Sequence, residues 1–362
     1  MAQLLGMLNL NDSQREYVNV VGQRAVYDNV KMIVDRYNTE LANATSLLVA
    51  ETTEDHKRRF MLPGGGYMYR QTGNITKPPA SKTYGSWDVA FPLEGFEDQI
   101  AVGRVDYSYM TVQDMDAALQ NIMLRATNTR RFEMLKRLFT STQATFVDPR
   151  KGSLAIEGLA NGDSVLYPPT VTSESEATDN HYLSAGYASS AISDTNNPIK
   201  TMIREVEEHF GYAAGGRNMV VFINSAQTDK IAALTDFNDI PDRFIAVGAN
   251  TDIPTGLPTN LPASSKLIGR TDSGAWVAEW DLAIPADYAL GIHLEVPAPL
   301  VERVDPRDTG LGTGLQLVAK DMDYPLESSI WSLRFGYGVA NRLNGVAMFI
   351  SASAWTTPSA YA

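Results

Sequence analysis

The chain has 362 residues, 44% hydrophobic and 20% charged, enough to build one large domain or two to three smaller ones around a real core. Thirty Lys and Arg against 42 Asp and Glu leave a net charge of -12, whereas dedicated nucleic-acid-binding domains are usually basic. No run of about 18 apolar residues could span a membrane, and the N-terminus lacks the basic region of a secretory signal. The absence of cysteine removes disulfides, thiolate metal sites and cysteine nucleophiles, and fits folding in a reducing cytoplasm.

Asn11, Asp12 and Ser13 offer N-caps to a first helix, whose apolar positions Val26, Val30, Ile33, Tyr37, Leu41, Ala44 and Leu48 recur in steps of three and four. A helix placed before any core sequence must bury that stripe elsewhere, on its own domain or on a neighbouring subunit. Residues 56–87 do not resemble core. They open with Lys57-Arg58-Arg59 and pass through Gly64-Gly65-Gly66, Tyr67, Tyr69 and Pro78-Pro79. A loop this long is a functional element or an extended arm. Residues 67–71 alternate as one strand of a projecting hairpin, and Trp87-Asp-Val-Ala-Phe-Pro-Leu alternates as the returning strand, with Pro92 at its edge or end.

Thr111, with Asp114 three residues on, forms a capping box and opens a helix to about residue 139 that contains no Pro or Gly. Met115, Leu119, Ile122 and Ala126 share one side, whereas Phe132, Leu135, Leu138 and Phe139 lie on another. A surface helix keeps one stripe; a change of face marks a spine that packs on different partners along its length. Residues 143–197 read as short strands, such as 164–167, in irregular connections. Asn197-Pro198 starts a helix with Ile199, Met202, Ile203, Val206 and Phe210 on its stripe. Residues 219–223 form a continuous buried strand, and Ser225 caps a short helix holding Ile231 and Leu234. This helix–strand–helix run is the clearest α/β core. Residues 275–280, 288–296 and 330–349 are strand regions.

Chemical motifs are missing. There is no P-loop, no His-Glu-x-x-His and no Gly-x-Ser-x-Gly. Glu205-Val-Glu-Glu-His209 is the nearest miss, and one histidine on a charged helix face reads as solvated, because zinc needs three or four convergent ligands. His56, His181, His209 and His293 are widely spread, which argues against a His-rich metal centre. Gly310-Leu-Gly-Thr-Gly314 follows Asp305-Pro-Arg-Asp308 rather than a buried strand, and reads as a flexible surface loop. Asp305, Asp308, Asp321 and Asp323 read as solvated loop acids, short of a calcium loop's alternating pattern. The basic run at Lys57 reads as a solvated edge that could meet an acidic neighbour in an oligomer. No catalytic, cofactor-binding or metal residue is expected, and hence no enzyme.

Several segments together resemble the major capsid proteins of tailed bacteriophages with the Hong Kong 97-type fold. The run from Trp87-Asp-Val-Ala-Phe-Pro-Leu-Glu-Gly-Phe-Glu-Asp-Gln-Ile-Ala-Val-Gly through Tyr107 to Thr111-Val-Gln-Asp-Met-Asp resembles their return from the extended loop (E-loop) into the spine helix. Met219-Val-Val-Phe-Ile-Asn-Ser, Tyr288-Ala-Leu-Gly-Ile-His-Leu-Glu-Val and Pro299-Leu-Val-Glu-Arg resemble the axial domain. Glu327-Ser-Ser-Ile-Trp-Ser-Leu-Arg-Phe-Gly-Tyr-Gly-Val resembles the late strand returning to the peripheral domain.

The resemblance implies an α+β chain. Its parts would be an N-terminal helical arm (residues 1–55), an extended E-loop hairpin (56–92), a peripheral domain (93–197) with a spine helix at about 111–140, an axial α/β domain (198–322), and C-terminal strands returning to the peripheral domain (323–362). It implies a major capsid protein that self-assembles into hexamers and pentamers of an icosahedral virion shell enclosing double-stranded DNA. Assembly would occur in the host bacterial cytoplasm, with no cofactor and no membrane. The implied partners are other copies of the chain, a portal, and a scaffolding or cement protein; the chain reaches its arm almost at once, so scaffolding would be separate or absent. Packaged DNA would be touched weakly and non-specifically, in keeping with the acidic balance. Phe60, Met61, Gly64, Gly65, Gly66, Tyr67 and Tyr69 in the E-loop, and Val26, Val30, Ile33, Tyr37 and Leu41 in the arm, are the expected inter-subunit contacts. Some relatives join an E-loop lysine to an asparagine. Lys77 and Lys82, with Asn341 and Asn344, are the residues to consider, but neither lysine has an apolar context and no cross-link is expected. An encapsulin-type protein nanocompartment is the alternative. A binding module with a functional loop, or an α/β enzyme, would be the other classes.

Overall fold

The computed structural model describes residues 16–62, 68, 70, 73, 86–101, 104–173, 175–210, 218–239, 258, 261–262, 264–319 and 328–362. The helices in chain order are α1 (Val18–Val21), α2 (Gln23–Thr45), α3 (Arg104–Ser108), α4 (Val112–Phe139), α5 (Pro198–Phe210) and α6 (Ser225–Ala232). The strands are β1 (Val49–Thr53), β2 (Lys57–Met61), β3 (Ser86–Ala90), β4 (Glu94–Ala101), β5 (Ala144–Asp148), β6 (Gly152–Ile156), β7 (Tyr182–Ser184) and β8 (Met219–Ile223). They continue with β9 (Phe237–Asp239), β10 (Lys266–Thr271), β11 (Ala275–Glu279), β12 (Tyr288–His293), β13 (Leu300–Arg303), β14 (Leu315–Ala319), β15 (Ser328–Val339) and β16 (Val346–Phe349). Two compact units result. The first comprises Met1–Ala42, Glu94–Arg130 and Asp305–Phe335, and the second Asn43–Leu93, Arg131–Val304 and Gly336–Ala362. Among the described residues, no helix is long and apolar enough to cross a membrane.

In the first unit, β4 and β14 pair antiparallel with the first part of β15. Ser329, Trp331, Leu333 and Phe335 are buried and alternate with more exposed residues, the period of a strand with one covered face. Phe96 stacks on Phe335 with centroids 5.2 Å apart, and the Arg130 guanidinium lies 5.0 Å from the same ring. The capping box of α4 is reciprocal: the Asp114 N–H donates to Thr111 Oγ1, and the Thr111 N–H to the Asp114 carboxylate, both at 3.1 Å. Met115, Leu119, Ile122 and Ala126 are buried in this unit, whereas Met134, Leu135, Leu138 and Phe139 are buried in the second. The change of face along α4 therefore serves two cores. Phe132 is the exception to that second stripe, 39% exposed with its ring 5.7 Å from that of Tyr361.

The second unit is built on a seven-stranded mixed sheet in the order β7-β16-β12-β8-β11-β10-β9. Every residue of β8 is buried, as its uninterrupted apolar run requires. Ile199, Met202 and Val206 of α5 pack into the core with Val221, Ile223 and Met348 of the sheet. Asn197 caps α5 by accepting the N–H groups of Ile199 and Lys200. The cap of α6 is Asn224 rather than Ser225. Its side chain accepts the Ala226 N–H, and the Gln227 side chain returns to its own N–H. Ser225 is then the first helical residue, and Leu234 lies past the end.

Gly336 and Gly338, in the second part of β15, mark a close approach. A Cβ at 336 would stand 2.2 Å from the main-chain oxygen of Pro92, and one at 338 would stand 2.6 Å from the Phe91 ring. That part of β15 pairs with β13, which runs parallel to β1. Three sequence expectations change. Residues 164–167 form no strand, because Asp163 turns the chain by accepting the Val165 N–H and Tyr167 merely bridges to Ala177. The strand starting at Tyr288 ends at His293, and residues 330–349 contain two strands divided by a turn at Gly345, with φ 135°. Residues 67–71 lie outside the described residues except Met68 and Arg70; the described partner of β3 is β2.

Candidate assembly surfaces

Strands β2 and β3 pair antiparallel, from Lys57 opposite Ala90 to Met61 opposite Ser86. Alternation turns Trp87 and Val89 inward, where they pack with Tyr167, Val301, Ala340 and Leu343. Phe60 is half-buried, its ring edge-on to Phe91 at 6.4 Å. The base of the hairpin is thus core, contrary to the expectation that residues 56–87 stand outside it. Its packing partners are remote in sequence, which hid them. Met61 is 55% exposed and Met68 98% exposed. Gly64, Gly65, Gly66, Tyr67 and Tyr69 lie outside the described residues, as do Lys77 and Lys82.

The basic run at the start of β2 is partnered within its own chain. Arg59 grips Asp88 at 2.7 and 3.3 Å, and the Lys57 ammonium is 3.0 Å from the same carboxylate. Arg58 reaches Glu51 and Asp55, each at 2.6 Å. Hydrogen bonds from Arg59 and Lys57 pull the Asp88 carboxyl down to about 2. These exposed pairs add little stability, but they leave the run poorly suited to gripping a polyanion.

In the arm, Val26 and Val30 are each 5% exposed, buried within the first unit, while Ile33, Tyr37 and Leu41 are half-buried. The Tyr37 hydroxyl shares a 2.7 Å hydrogen bond with Thr127 Oγ1 and donates to the Met123 carbonyl at 3.0 Å. Burial pushes this phenol up. Val26 and Val30 therefore have little surface left for a neighbour. The open apolar side chains of this unit include Val20 (81% exposed), Val105 (71%), Tyr109 (71%), Met32 (63%) and Leu124 (60%). Val20 and Tyr109 flank the main-chain bond from the Val18 N–H to the Met110 carbonyl, 3.1 Å long. They fall off the helical stripes, so periodicity did not single them out.

Two expectations about polar groups also change. Asp305 is 5% exposed and accepts from Arg334 Nε at 2.8 Å, so it is an ion-pair partner and not a solvated loop acid. His209 is not solvated either. Its side chain is 5% exposed, with Nε2 2.5 Å from Asp179 Oδ2, and His181 Nε2 is 2.8 Å from the same oxygen. Burial pushes the Asp179 carboxyl up, but the two imidazoles outweigh it and hold the group well below the usual carboxylate range. The one local signal for this cluster was the Asp-x-His spacing of Asp179 and His181, too short to recognise without the fold.

No family model matches the sequence, and no curated protein matches it. Among solved structures, a chain of Mycobacterium phage Patience is similar with a TM-score of 0.62 and 19% identity, over 100% of this chain and 98% of that one. A chain from the capsid structure of the cyanophage P-SCSP1u has a TM-score of 0.48 and 10% identity, over 85% of this chain and 87% of that one. A chain of the virus-like particle from Pyrococcus furiosus has a TM-score of 0.39 and 11% identity, over 87% and 99%. The fold is α+β, of the Hong Kong 97 type.

Proposed function

We propose that this chain is the major capsid protein of a tailed phage, a structural subunit that assembles with its own copies into the hexamers and pentamers of an icosahedral shell around double-stranded DNA. The observation that carries this reading is the likeness to the phage chain over the whole length of both molecules. Several features of the chain support it. Val20, Val105, Tyr109, Met61 and Met68 are open apolar side chains that a neighbouring copy would cover. The E-loop contacts are the exposed Met61 and Met68, with Gly64, Gly65, Gly66, Tyr67 and Tyr69. The arm contributes its half-buried Ile33, Tyr37 and Leu41 rather than Val26 and Val30. A portal and a scaffolding or cement protein complete the assembly, and the place of work is the virion, after assembly in the host cytoplasm. The internally paired basic run and the net charge of -12 suit a wall that holds DNA without gripping it.

The test replaces residues 63–85 by Asn-Gly, a turn that joins β2 to β3 directly. The shortened chain should fold, by circular dichroism, yet fail to form closed particles by light scattering. Particles formed in normal yield would remove the E-loop from the assembly mechanism.

A further inference from the structure

Five side chains that the shell-building role leaves without a task converge in the second unit. Asp179 and His181 stand on the connection into β7, while Glu205, Glu208 and His209 lie on the last turns of α5. Donor atoms of Asp179, His181 and His209 all lie within 4.8 Å of one another, as do those of Asp179, Glu205 and Glu208.

Both ring nitrogens of His181 face acceptors. This side chain has no solvent exposure, and its Nδ1 is 2.7 Å from the main-chain oxygen of Gly345. A carbonyl only accepts, so Nδ1 carries the hydrogen. Nε2 faces Asp179 Oδ2 at 2.8 Å, a second group that only accepts when ionised. A neutral imidazole has one N–H and cannot serve both. Either the ring is a fully buried imidazolium, or Nε2 turns a lone pair toward a cation that the carboxylate also faces. One ring nitrogen held by a carbonyl so that the other can ligate is the arrangement of metal-binding histidines. His209 aims Nε2 at the same oxygen, and its buried Nδ1 has no hydrogen-bond partner among the described residues.

We propose that Asp179 Oδ2, His181 Nε2 and His209 Nε2 ligate a divalent transition ion of the zinc class, with Glu208 or a water completing the shell. Glu208 Oε1 is 3.7 Å from His209 Nε2. Two imidazoles and a carboxylate suit zinc, nickel or iron, whereas calcium and magnesium take oxygen donors. The contacts of 2.5 and 2.8 Å are hydrogen-bond lengths. Donors around a tetrahedral ion with bonds of about 2.0–2.2 Å stand roughly 3.3–3.6 Å apart, so Asp179 draws back by about 1 Å on loading. The ion would be a staple. The His181 main chain bonds to the Ala160 carbonyl and the Ala347 N–H, so loading ties this connection and β16 to the C-terminal end of α5.

The full chain, stripped with a chelator and gel-filtered after equimolar zinc, should retain one ion per chain by atomic emission. Cobalt(II) in its place should give visible absorption of tetrahedral intensity, and zinc should raise the thermal midpoint. His209→Gln should bind at least tenfold more weakly with an unchanged circular dichroism spectrum. A wild-type chain that retains no zinc and gives a featureless cobalt spectrum would overturn the site. So would His209→Gln protein that binds as tightly as wild type. The wild-type measurements decide the matter even if the variant fails to fold.

Discussion

The indole N–H of Trp87 donates to the main-chain oxygen of Ala340 at 2.8 Å, joining β3 to the residue that follows β15. The indole is 3% exposed and its ring lies 5.4 Å from that of Tyr167, so one side chain fixes the hairpin base to two distant parts of the second unit. Trp87→Phe keeps much of the packing and strands the carbonyl, which costs about 1–3 kcal/mol. Urea unfolding of dissociated subunits should show that loss; an unchanged midpoint would mean the bond contributes nothing.

Gly336→Ala should be costly. The added methyl would meet the Pro92 main-chain oxygen, which cannot swing aside as a side chain could. A loss of about 1–3 kcal/mol is expected from the forced backbone shift. Gly312→Ala is the control, since its new methyl would meet only the flexible Gln316 side chain. Equal midpoints for the two variants would contradict the close approach.

Acid should weaken the second unit through Asp148. Arg303 donates to both the Phe91 carbonyl, at 2.8 Å, and the Asp148 carboxylate, at 2.9 Å, with both side chains almost fully buried. Burial raises the Asp148 carboxyl, yet the N–H groups of Arg150 and Lys151 together with Arg303 bring it below its ordinary value. A depressed folded-state pKa stabilises fully above the unfolded value near 3.9, and that contribution fades as pH falls through the folded value. Stability measured from about pH 5 downward should therefore drop less steeply in Asp148→Asn than in wild type. At neutral pH the same variant should be weaker by roughly 3–5 kcal/mol, because Arg303 keeps its buried charge without a partner. Parallel pH profiles would rule the pair out as an acid-sensitive contact.

Covalent cross-linking through the late asparagines is not expected. Asn344 is fully buried, accepts the His293 N–H and donates to the His293, Val296 and Pro297 carbonyls. Asn341 is 6% exposed and donates to the Pro297 carbonyl. Amides held this way offer no lysine a line of attack. Particles boiled in denaturant should run as one band near 39.6 kDa, and a ladder of covalent oligomers would refute this.

Local signals carried most of what the sequence made legible. Thr111 with Asp114, and Asn197 with Pro198, act within one helical turn, so spacing alone placed α4 and α5. The face change of α4 was also readable, because each half shows its own stripe. Features that depend on remote partners were not. Trp87 and Phe91 count as core only beside Tyr167, Val301 and Ala340, and Tyr37 is held by Met123 and Thr127, 86 and 90 residues on. His209 sits among acids that suggest a solvated helix face, and only the approach of Asp179 and His181 buries it.

The shell-building role rests most directly on whether copies of this chain close into shells. Electron micrographs of the purified full-length chain should contain uniform hollow particles whose walls are built from rings of six and five subunits. A sample that remains at the size of one or a few chains, across a wide range of concentration and salt, would contradict it.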